Sequence, residues 1–358
     1  MDKRNNKIAA YNSDDIAIVV SKEMSRITKY NYHSQPTAIL LAGQPGAGKT
    51  VLSSMLSTRL QNDVYLINAD EYRRYHPNYQ NLYRQYGADS VQMTGAFSGA
   101  VTERLIQEAS GHKINLIIEG TGRTTEVPHR TAALLMEKGY QVELAVMATR
   151  PELSLCSTLL RFYEMNEGGT VPRATAASAH DHVVDVLPDN LDTLMKDPVI
   201  SKIAIWNREL DLLYSNENSD VPPSQVLRSY WCHTWSNEEV ENIKAAISLL
   251  RRKEQQYSLG QGATIDELEK RIQKITLSID TGKAQERATS MCDAMENMRL
   301  QSYEEGKADG IAEGKMEGQY EAQKATAVRM LSVGTYSLED VSSISGLSLE
   351  EIQSMNEN

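Results

Sequence analysis

The sequence predicts an α/β fold in which helices cover both faces of a parallel sheet, followed by an α-helical C-terminal extension. From residue 37 onwards, short apolar runs alternate with stretches of helical periodicity, a pattern typical of right-handed crossovers between parallel strands. From about residue 236 the sequence turns polar and loses its strand signals. At 358 residues the chain can form one core of roughly 200 residues and still carry a further element.

The predicted elements follow one another in a regular order. A helix over residues 13–27, with Ser13 at its N-cap, opens the chain. Five apolar runs predict strands, at residues 38–43, 64–68, 114–120, 142–148 and 202–208. Helical periodicity at 50–60, 94–110, 126–139 and 152–165 predicts the crossover helices.

We predict four segments along the chain. They are an N-terminal helical segment (1–36) that packs on the main domain, the α/β domain itself (37–235), a helical region (236–300) and an acidic helical tail (301–358). The tail carries a glycine repeat at 306, 310, 314 and 318, and two capping-box patterns, Ser337 with Asp340 and Ser348 with Glu351. We expect truncation after about residue 258 to preserve the activity of the main domain.

Composition excludes several classes of partner. No apolar run reaches the roughly 18 residues that cross a bilayer, and the start of the chain has no signal-peptide core. The net charge of −11 disfavours nonspecific binding to nucleic acid. The tail, with 11 acidic and four basic residues, is equally unsuited to DNA. We therefore expect a cytoplasmic protein with neither a membrane nor a nucleic-acid partner, and a tail that serves self-association or partner docking or is merely solvated.

A phosphate-binding loop follows the first predicted strand. In GQPGAGKT, Gly43, Gly48, Lys49 and Thr50 fit the pattern GxxxxGK[ST], and Gly46 lies within the same loop. Backbone N–H groups of such a loop and the following helix N-terminus form an anion cradle. The lysine reaches the β- and γ-phosphates, and the threonine hydroxyl reaches Mg²⁺. The loop predicts a site for a nucleoside triphosphate.

A carboxylate follows the second predicted strand. Asp70 lies at the carboxyl edge of the sheet, where open α/β sheets bind ligands. It could take a proton from an attacking hydroxyl, coordinate Mg²⁺, or merely cap the next helix. The stretch EYRRYHPNY after it has few apolar residues, so we interpret it as a substrate wall and not as core.

The third predicted strand ends in a second polar cluster. Glu119, Thr121 and Arg123 alternate with glycines that let the backbone approach a ligand closely. Glu119 could bind a metal ion in the manner of a Walker B residue or hold sugar hydroxyls. For Arg123 the alternative is a structural ion pair.

Two arginines bracket a glycine turn further along the chain. Arg161 and Arg173 flank Gly168 and Gly169, at which the preceding helix should end. Small-molecule kinases close such a flap so that its arginines meet the transferring phosphoryl group. His180 and Asp181, in the next helical stretch, suit core or capping roles at least as well as catalysis.

These stretches together resemble the zeta toxin family, the kinase half of bacterial epsilon/zeta-type toxin–antitoxin systems. The resemblance covers roughly residues 10–235 and rests on GQPGAGKT, INADEYRRYHPNY, NLIIEGTGRTTEVPHRTAALLMEKGYQVELAVMA and PRATAASAHDHVV. It implies a P-loop NTPase kinase-like fold in the bacterial cytoplasm. It also implies that ATP or GTP, with Mg²⁺, phosphorylates the 3′-hydroxyl of the amino sugar of UDP-N-acetylglucosamine. This reaction blocks peptidoglycan synthesis, and a small helical antitoxin would inhibit the enzyme.

The resemblance also implies a role for each matching residue. Lys49 and Thr50 would hold nucleotide phosphate and Mg²⁺, and Asp70 would be the general base. Arg161 and Arg173 would neutralise charge on the triphosphate. The sugar-nucleotide pocket would be lined by Glu103, Glu119, Thr121, Arg123 and Thr131.

Two other functions stay open on the sequence. One is a P-loop kinase that acts on another hydroxyl substrate, such as an antibiotic or a nucleotide. The other is a nucleotide-gated interaction module without phosphoryl transfer. The segment EGTGRTT and the acidic residues Asp70 and Glu103 favour transfer chemistry, because a simple nucleotide switch does not require them.

Overall fold

A computed structural model of the protein describes residues 8–280, together with residues 337, 338, 341, 342, 349 and 353. One sheet contains six strands: β1 (Thr37–Ala42), β2 (Tyr65–Asn68), β3 (Leu116–Glu119), β4 (Gln141–Met147), β5 (Lys202–Trp206) and β6 (Leu212–Ser215). Their order across the sheet is β2-β3-β1-β4-β5-β6. The pairs β1–β3, β1–β4 and β4–β5 are parallel, whereas β5–β6 is antiparallel. The predicted α/β fold is confirmed, with an antiparallel edge strand that the sequence did not predict.

Eleven α-helices lie within residues 8–280. They are α1 (Ser13–Met24), α2 (Lys49–Arg59), α3 (Ala69–Tyr72), α4 (Tyr79–Tyr86), α5 (Gly95–Ser110), α6 (Glu126–Glu137), α7 (Pro151–Glu167), α8 (Ala177–Leu194), α9 (Pro223–Trp231), α10 (Asn237–Tyr257) and α11 (Gly262–Asp280). None of these described helices has the length and apolar character that crossing a membrane requires. The predicted cap of α1 is wrong by one residue, because the side chain of Asn12 accepts the N–H groups of Asp14 and Asp15.

The chain divides into two compact units. The first contains, among its described residues, 8–31, 67–112 and those from 337 onwards, and the second contains 32–66 and 113–280. In the first unit the ring of His76 makes edge contacts with Tyr11 and Phe97, at centroid distances of 6.0 and 5.1 Å. His76 and Tyr72 are buried. The expectation that EYRRYHPNY contributes nothing to the core is therefore wrong.

The core of the second unit lies between the sheet and α2. Ile39 and Leu41 of β1 pack with Leu52 and Leu56 of α2, all of them buried. The helix that follows the glycine-rich loop is thus fixed against the strand that precedes it. This packing holds the two ends of the loop in place.

The helices α10 and α11 belong to the same compact unit as the sheet, and both pack on α7. A capping box between Ser236 and Glu239 opens α10. Buried apolar side chains line both helices: Val240, Ile243, Ile247 and Leu250 on α10, and Ile265, Leu268, Ile272 and Ile275 on α11. This packing argues against an appendage that can be removed after residue 258.

Most of the predicted tail lies outside the described residues. This applies to the glycine repeat at 306–318 and to the second capping box at Ser348 and Glu351. Residues 281–300 of the predicted helical region also lie outside the described residues. Near the first box, the N–H of Val341 donates to the carbonyl oxygen of Ser337 at 3.0 Å. That bond has the spacing of an α-helical hydrogen bond, and Leu338, Val341 and Ser342 are helical.

Candidate functional site

The loop between β1 and α2 has a backbone that requires glycine. Gly46 and Gly48 have φ angles of 74° and 101°, in the region that side chains disfavour. A Cβ atom on Gly46 would lie 2.9 Å from Cγ2 of Thr158 and closer still to the carbonyl oxygen of Ser154. Gly48 directly precedes Lys49, the first residue of α2. The loop is therefore pressed against α7, with its amide groups at a helix N-terminus.

Lys49 lies across this loop. Its Nζ donates to the carbonyl oxygens of Gly43 at 2.9 Å and Gln44 at 3.2 Å. It also lies 4.0 Å from Oε1 of Glu119, and its side chain is only 9% exposed. An ammonium group held over a nest of backbone amides fits a polyphosphate, because both attract negative charge at the same place. Thr50, the next residue, is exposed.

The EGTG segment after β3 is tied to the start of the loop. Glu119 lies opposite Leu41 in the parallel register of β1 and β3. The N–H of Gly43 donates to the carbonyl oxygen of Thr121 at 3.1 Å. The predicted Glu119 and Thr121 therefore lie beside the glycine-rich loop, as expected for neighbouring strand ends. Gly122 has a φ of 74°, and a Cβ there would come within 2.6 Å of Leu187 on α8.

Two further predicted site residues, Arg123 and Thr131, differ in exposure. Arg123 is exposed, and its N–H donates to Oγ1 of Thr121 at 3.4 Å. Thr131 lies on α6 and is half-buried. Both residues belong to the second unit.

Arg161 and Arg173 flank the end of α7. The helix ends at Glu167, with Gly168 as its C-cap, so the predicted helix end is confirmed. Arg161 is exposed and lies one turn beyond Ser157 on the same face of α7. Ser157 accepts a hydrogen bond from Arg208 at 2.7 Å. Arg173 lies in the segment between α7 and α8 and is half-buried.

Arg208 contacts the glycine-rich loop, and the sequence analysis did not predict this contact. Its Nη2 donates to the carbonyl oxygen of Gly46 at 2.9 Å, and its Nε to that of Ala47 at 3.4 Å. Burial lowers the pKa of the Arg208 guanidinium, although the negative charge of the neighbouring Glu209 raises it. The available signal was its place just after the apolar run of β5, at the carboxyl end of a parallel strand.

The first unit carries Asp70 and Glu103. Asp70 is the second residue of α3, and its N–H donates to Oδ1 of Asn68 at 2.9 Å. Asn68, not Asp70, therefore supplies the helix cap. The Asp70 carboxylate accepts Nε–H of Arg73 at 2.7 Å and is 46% exposed. Arg73 in turn donates to the carbonyl oxygen of Val91 at 2.6 Å.

Glu103 lies on α5, on which α3 packs. Its side chain is exposed. Burial, and then the negative charge of Glu103, raises the pKa of Tyr11. Within the described part of the chain, no cluster of three or more His, Cys, Asp or Glu side chains could hold a metal ion by itself.

A glycine-rich loop between a parallel strand and a helix, with a lysine that bridges it, defines a P-loop protein of kinase-like fold. The family model described as Zeta toxin matches residues 21–219. The chain therefore belongs to the zeta toxin family, as the sequence motifs predicted.

Similar proteins come from streptococci. Toxin PezT of Streptococcus pneumoniae serotype 4 is 36% identical over 240 residues, which are 66% of this chain and 95% of PezT. Toxin zeta of Streptococcus pyogenes is 40% identical over 208 residues, which are 58% of this chain and 72% of that toxin. A chain from the solved PezAT chromosomal toxin–antitoxin system of S. pneumoniae superposes with a TM-score of 0.61 and 34% identity. That match covers 69% of this chain and 98% of the other.

Proposed function

We propose that this protein is the kinase toxin of a toxin–antitoxin system. It transfers the γ-phosphoryl group of ATP or GTP to the 3′-hydroxyl of the amino sugar of UDP-N-acetylglucosamine, and so blocks peptidoglycan synthesis. The observation that carries the proposal is the position of Lys49, held between the P-loop carbonyls and Glu119 in a chain of the zeta toxin family.

The nucleotide side of the site would consist of the P-loop and the start of α2. Gly43, Gly46 and Gly48 bring backbone amides to the phosphates, and Lys49 exchanges its loop carbonyls for phosphate oxygens. The hydroxyl of Thr50 would hold Mg²⁺, which would neutralise charge on the triphosphate when bound.

The acceptor side would use carboxylate, hydroxyl and guanidinium groups. We assign Asp70 as the general base that accepts the proton of the sugar hydroxyl as the new oxygen–phosphorus bond forms. Arg161 and Arg173 would stabilise the charge on the transferring group. The sugar nucleotide would contact Glu103, Glu119, Thr121, Arg123 and Thr131.

The proposed partner is a small helical antitoxin. The support is the membership of the chain in the zeta toxin family and the match with a toxin from the PezAT toxin–antitoxin system. A cytoplasmic location follows from the proposed substrate, which is a precursor of cell-wall synthesis. Self-association through the C-terminal helices stays a prediction.

An acceptor panel tests the proposal. Purified protein is incubated with ATP or GTP, Mg²⁺ and one candidate acceptor at a time, and the products are analysed by mass spectrometry. The candidates are UDP-N-acetylglucosamine, nucleotides and hydroxyl-bearing antibiotics, and Lys49→Ala serves as the inactive control. The proposal requires a gain of one phosphoryl group on UDP-N-acetylglucosamine. A product on another acceptor alone would assign a different kinase activity, and nucleotide binding without any product would favour a nucleotide-gated module.

A further inference from the structure

A buried chain of polar side chains joins the C-terminal helix α11 to the P-loop. It begins at Arg271 on α11, which donates to both carboxylate oxygens of Asp181 on α8, at 3.0 and 2.6 Å. Asp181 also accepts from Nδ1 of His180 at 2.9 Å. Nε2 of His180 lies 2.7 Å from Oγ of Ser154 on α7. All of these residues lie in the second compact unit.

The last link of this polar chain is a residue of the P-loop itself. Nε2 of Gln44 lies 3.2 Å from Oγ of Ser154, and it donates to the carbonyl oxygen of Thr149 at 2.5 Å. Thr149 in turn donates to the carbonyl oxygen of Ala47 at 2.6 Å. Ser154 therefore touches the loop twice, because its own carbonyl oxygen is the atom that excludes a side chain at Gly46.

The hydrogen-bond partners set the order of this polar chain. An ionised carboxylate can only accept hydrogen bonds, so Nδ1 of His180 carries the proton toward Asp181. The hydroxyl oxygen of Ser154 lies 2.7 Å from Nε2 of His180, donates to the carbonyl oxygen of Pro151 at 2.9 Å and accepts from Nε2 of Gln44. Each group thereby fixes the orientation of the next, from the guanidinium on α11 to the amide on the P-loop.

Burial makes each link costly to break. Gln44, Ser154 and His180 have no exposed surface, and Asp181 is 4% exposed. Although burial raises the pKa of Asp181, the hydrogen bonds and charges of His180 and Arg271 outweigh it and hold that pKa well below its ordinary value. Removal of the guanidinium would leave a buried carboxylate without its strongest partner, so the neighbouring imidazole would have to move.

We propose that Arg271 is a positioning residue for nucleotide binding, which acts through Asp181, His180, Ser154 and Gln44 to fix the P-loop. The residue lies beyond positions 21–219, which the family model matches. The helix α11 is therefore part of the nucleotide-binding machinery of this chain, although it contributes no group that touches the nucleotide. This inference rests on the proposed function only in that the P-loop binds a nucleoside triphosphate.

The test compares Arg271→Met with Arg251→Met in the full-length protein. Arg251, on α10, pairs with Asp266 and Glu269 of α11 at 2.5 Å, so its loss weakens another contact of α11 without touching the polar chain. Amide hydrogen exchange is measured first, without nucleotide. We expect exchange of residues 43–50 to accelerate about tenfold in Arg271→Met and to change little in Arg251→Met, while β1 and β4 stay protected in both.

Nucleotide affinity is the second readout. The dissociation constant of ATP, measured by calorimetry, should rise about three- to tenfold in Arg271→Met, and Arg271→Lys should fall between it and the wild type. Gln44→Ala should raise the dissociation constant of ATP less in the Arg271→Met background than in the wild type, because both substitutions break the same polar chain.

Three results would overturn the inference. They are equal effects of the two arginine variants on the loop, additive effects of Arg271→Met and Gln44→Ala, or a loss of protection that extends equally over β1 and β4. If Arg271→Met does not fold, Arg271→Lys and Asp181→Asn carry the same comparison. A wild type that binds no ATP would contradict the proposed function, and the exchange measurement would still decide the role of Arg271.

Discussion

Gly46 packs so closely against α7 that its substitution tests the P-loop geometry directly. In Gly46→Ala the new methyl group would meet the Ser154 carbonyl group, whose carbon is 3.0 Å away, and Thr158 Cγ2 at 2.9 Å. Its φ of 74° adds backbone strain. A matched control is Gly260→Ala, between α10 and α11, where φ is 79° and nothing lies within 4 Å of the added atom. The two variants share the strain, and only one has the clash.

The expected magnitudes follow from this difference. Left-handed backbone at alanine costs about 1 kcal/mol in both variants. Overpacking against α7 adds about 2 kcal/mol in Gly46→Ala only. If the loop moves to relieve the clash, this second cost falls on nucleotide binding and raises the dissociation constant of ATP by about 30-fold.

Calorimetric titration with ATP and Mg²⁺, together with thermal unfolding, measures both quantities. Gly260→Ala should lose a little stability and keep the wild-type affinity. Gly46→Ala should lose more stability, affinity or both. Equal unfolding midpoints and equal affinities for the two variants would refute the close approach of the loop to α7.

Three further predictions concern the charged residues. Lys49→Ala should abolish phosphoryl transfer measured with labelled ATP, and a variant that still phosphorylates substrate would contradict the P-loop assignment. Asp70→Asn should keep ATP affinity near that of the wild type but lower turnover by about 10²-fold or more, as loss of a general base requires; unchanged turnover would assign the proton to another group. Because the folded-state pKa of Asp181 is lowered, its stabilising contribution is present above the unfolded pKa of about 4 and is lost as pH falls below it. Asp181→Asn should therefore lower stability at neutral pH by about 3 kcal/mol and flatten the acid limb of the stability curve, and an unchanged acid limb would contradict the pairing with Arg271.

Local pattern was sufficient for the elements that position the P-loop. Apolar runs located β1 to β5, and helical periodicity located α2, α5, α6 and α7, because each of these elements carries its own local pattern. The strand β6 was missed because only its last two residues are buried, whereas Leu212 is 47% exposed. It exists because a turn between Asn207 and Asp211 returns the chain onto β5.

Contacts between distant parts of the sequence could not be predicted in the same way. Arg208 reaches Gly46 across 162 positions, and Arg271 reaches Asp181 across 90. Neither pairing leaves a local signal. Burial of His76 was missed for the same reason, because its aromatic neighbour Tyr11 comes from another segment of the chain. The polar composition of α10 and α11 suggested a dispensable extension, whereas one face of each helix is buried.

Transfer to one defined hydroxyl is the central claim, and a paired substrate measurement tests it most directly. The wild-type protein is incubated with γ-labelled ATP, Mg²⁺ and either UDP-N-acetylglucosamine or its analogue that lacks the 3′-hydroxyl of the amino sugar, with Lys49→Ala alongside. We predict that one labelled phosphoryl group appears on UDP-N-acetylglucosamine and none on the analogue. Equal labelling of both compounds, or labelling of neither while ATP binds, would contradict the proposed reaction.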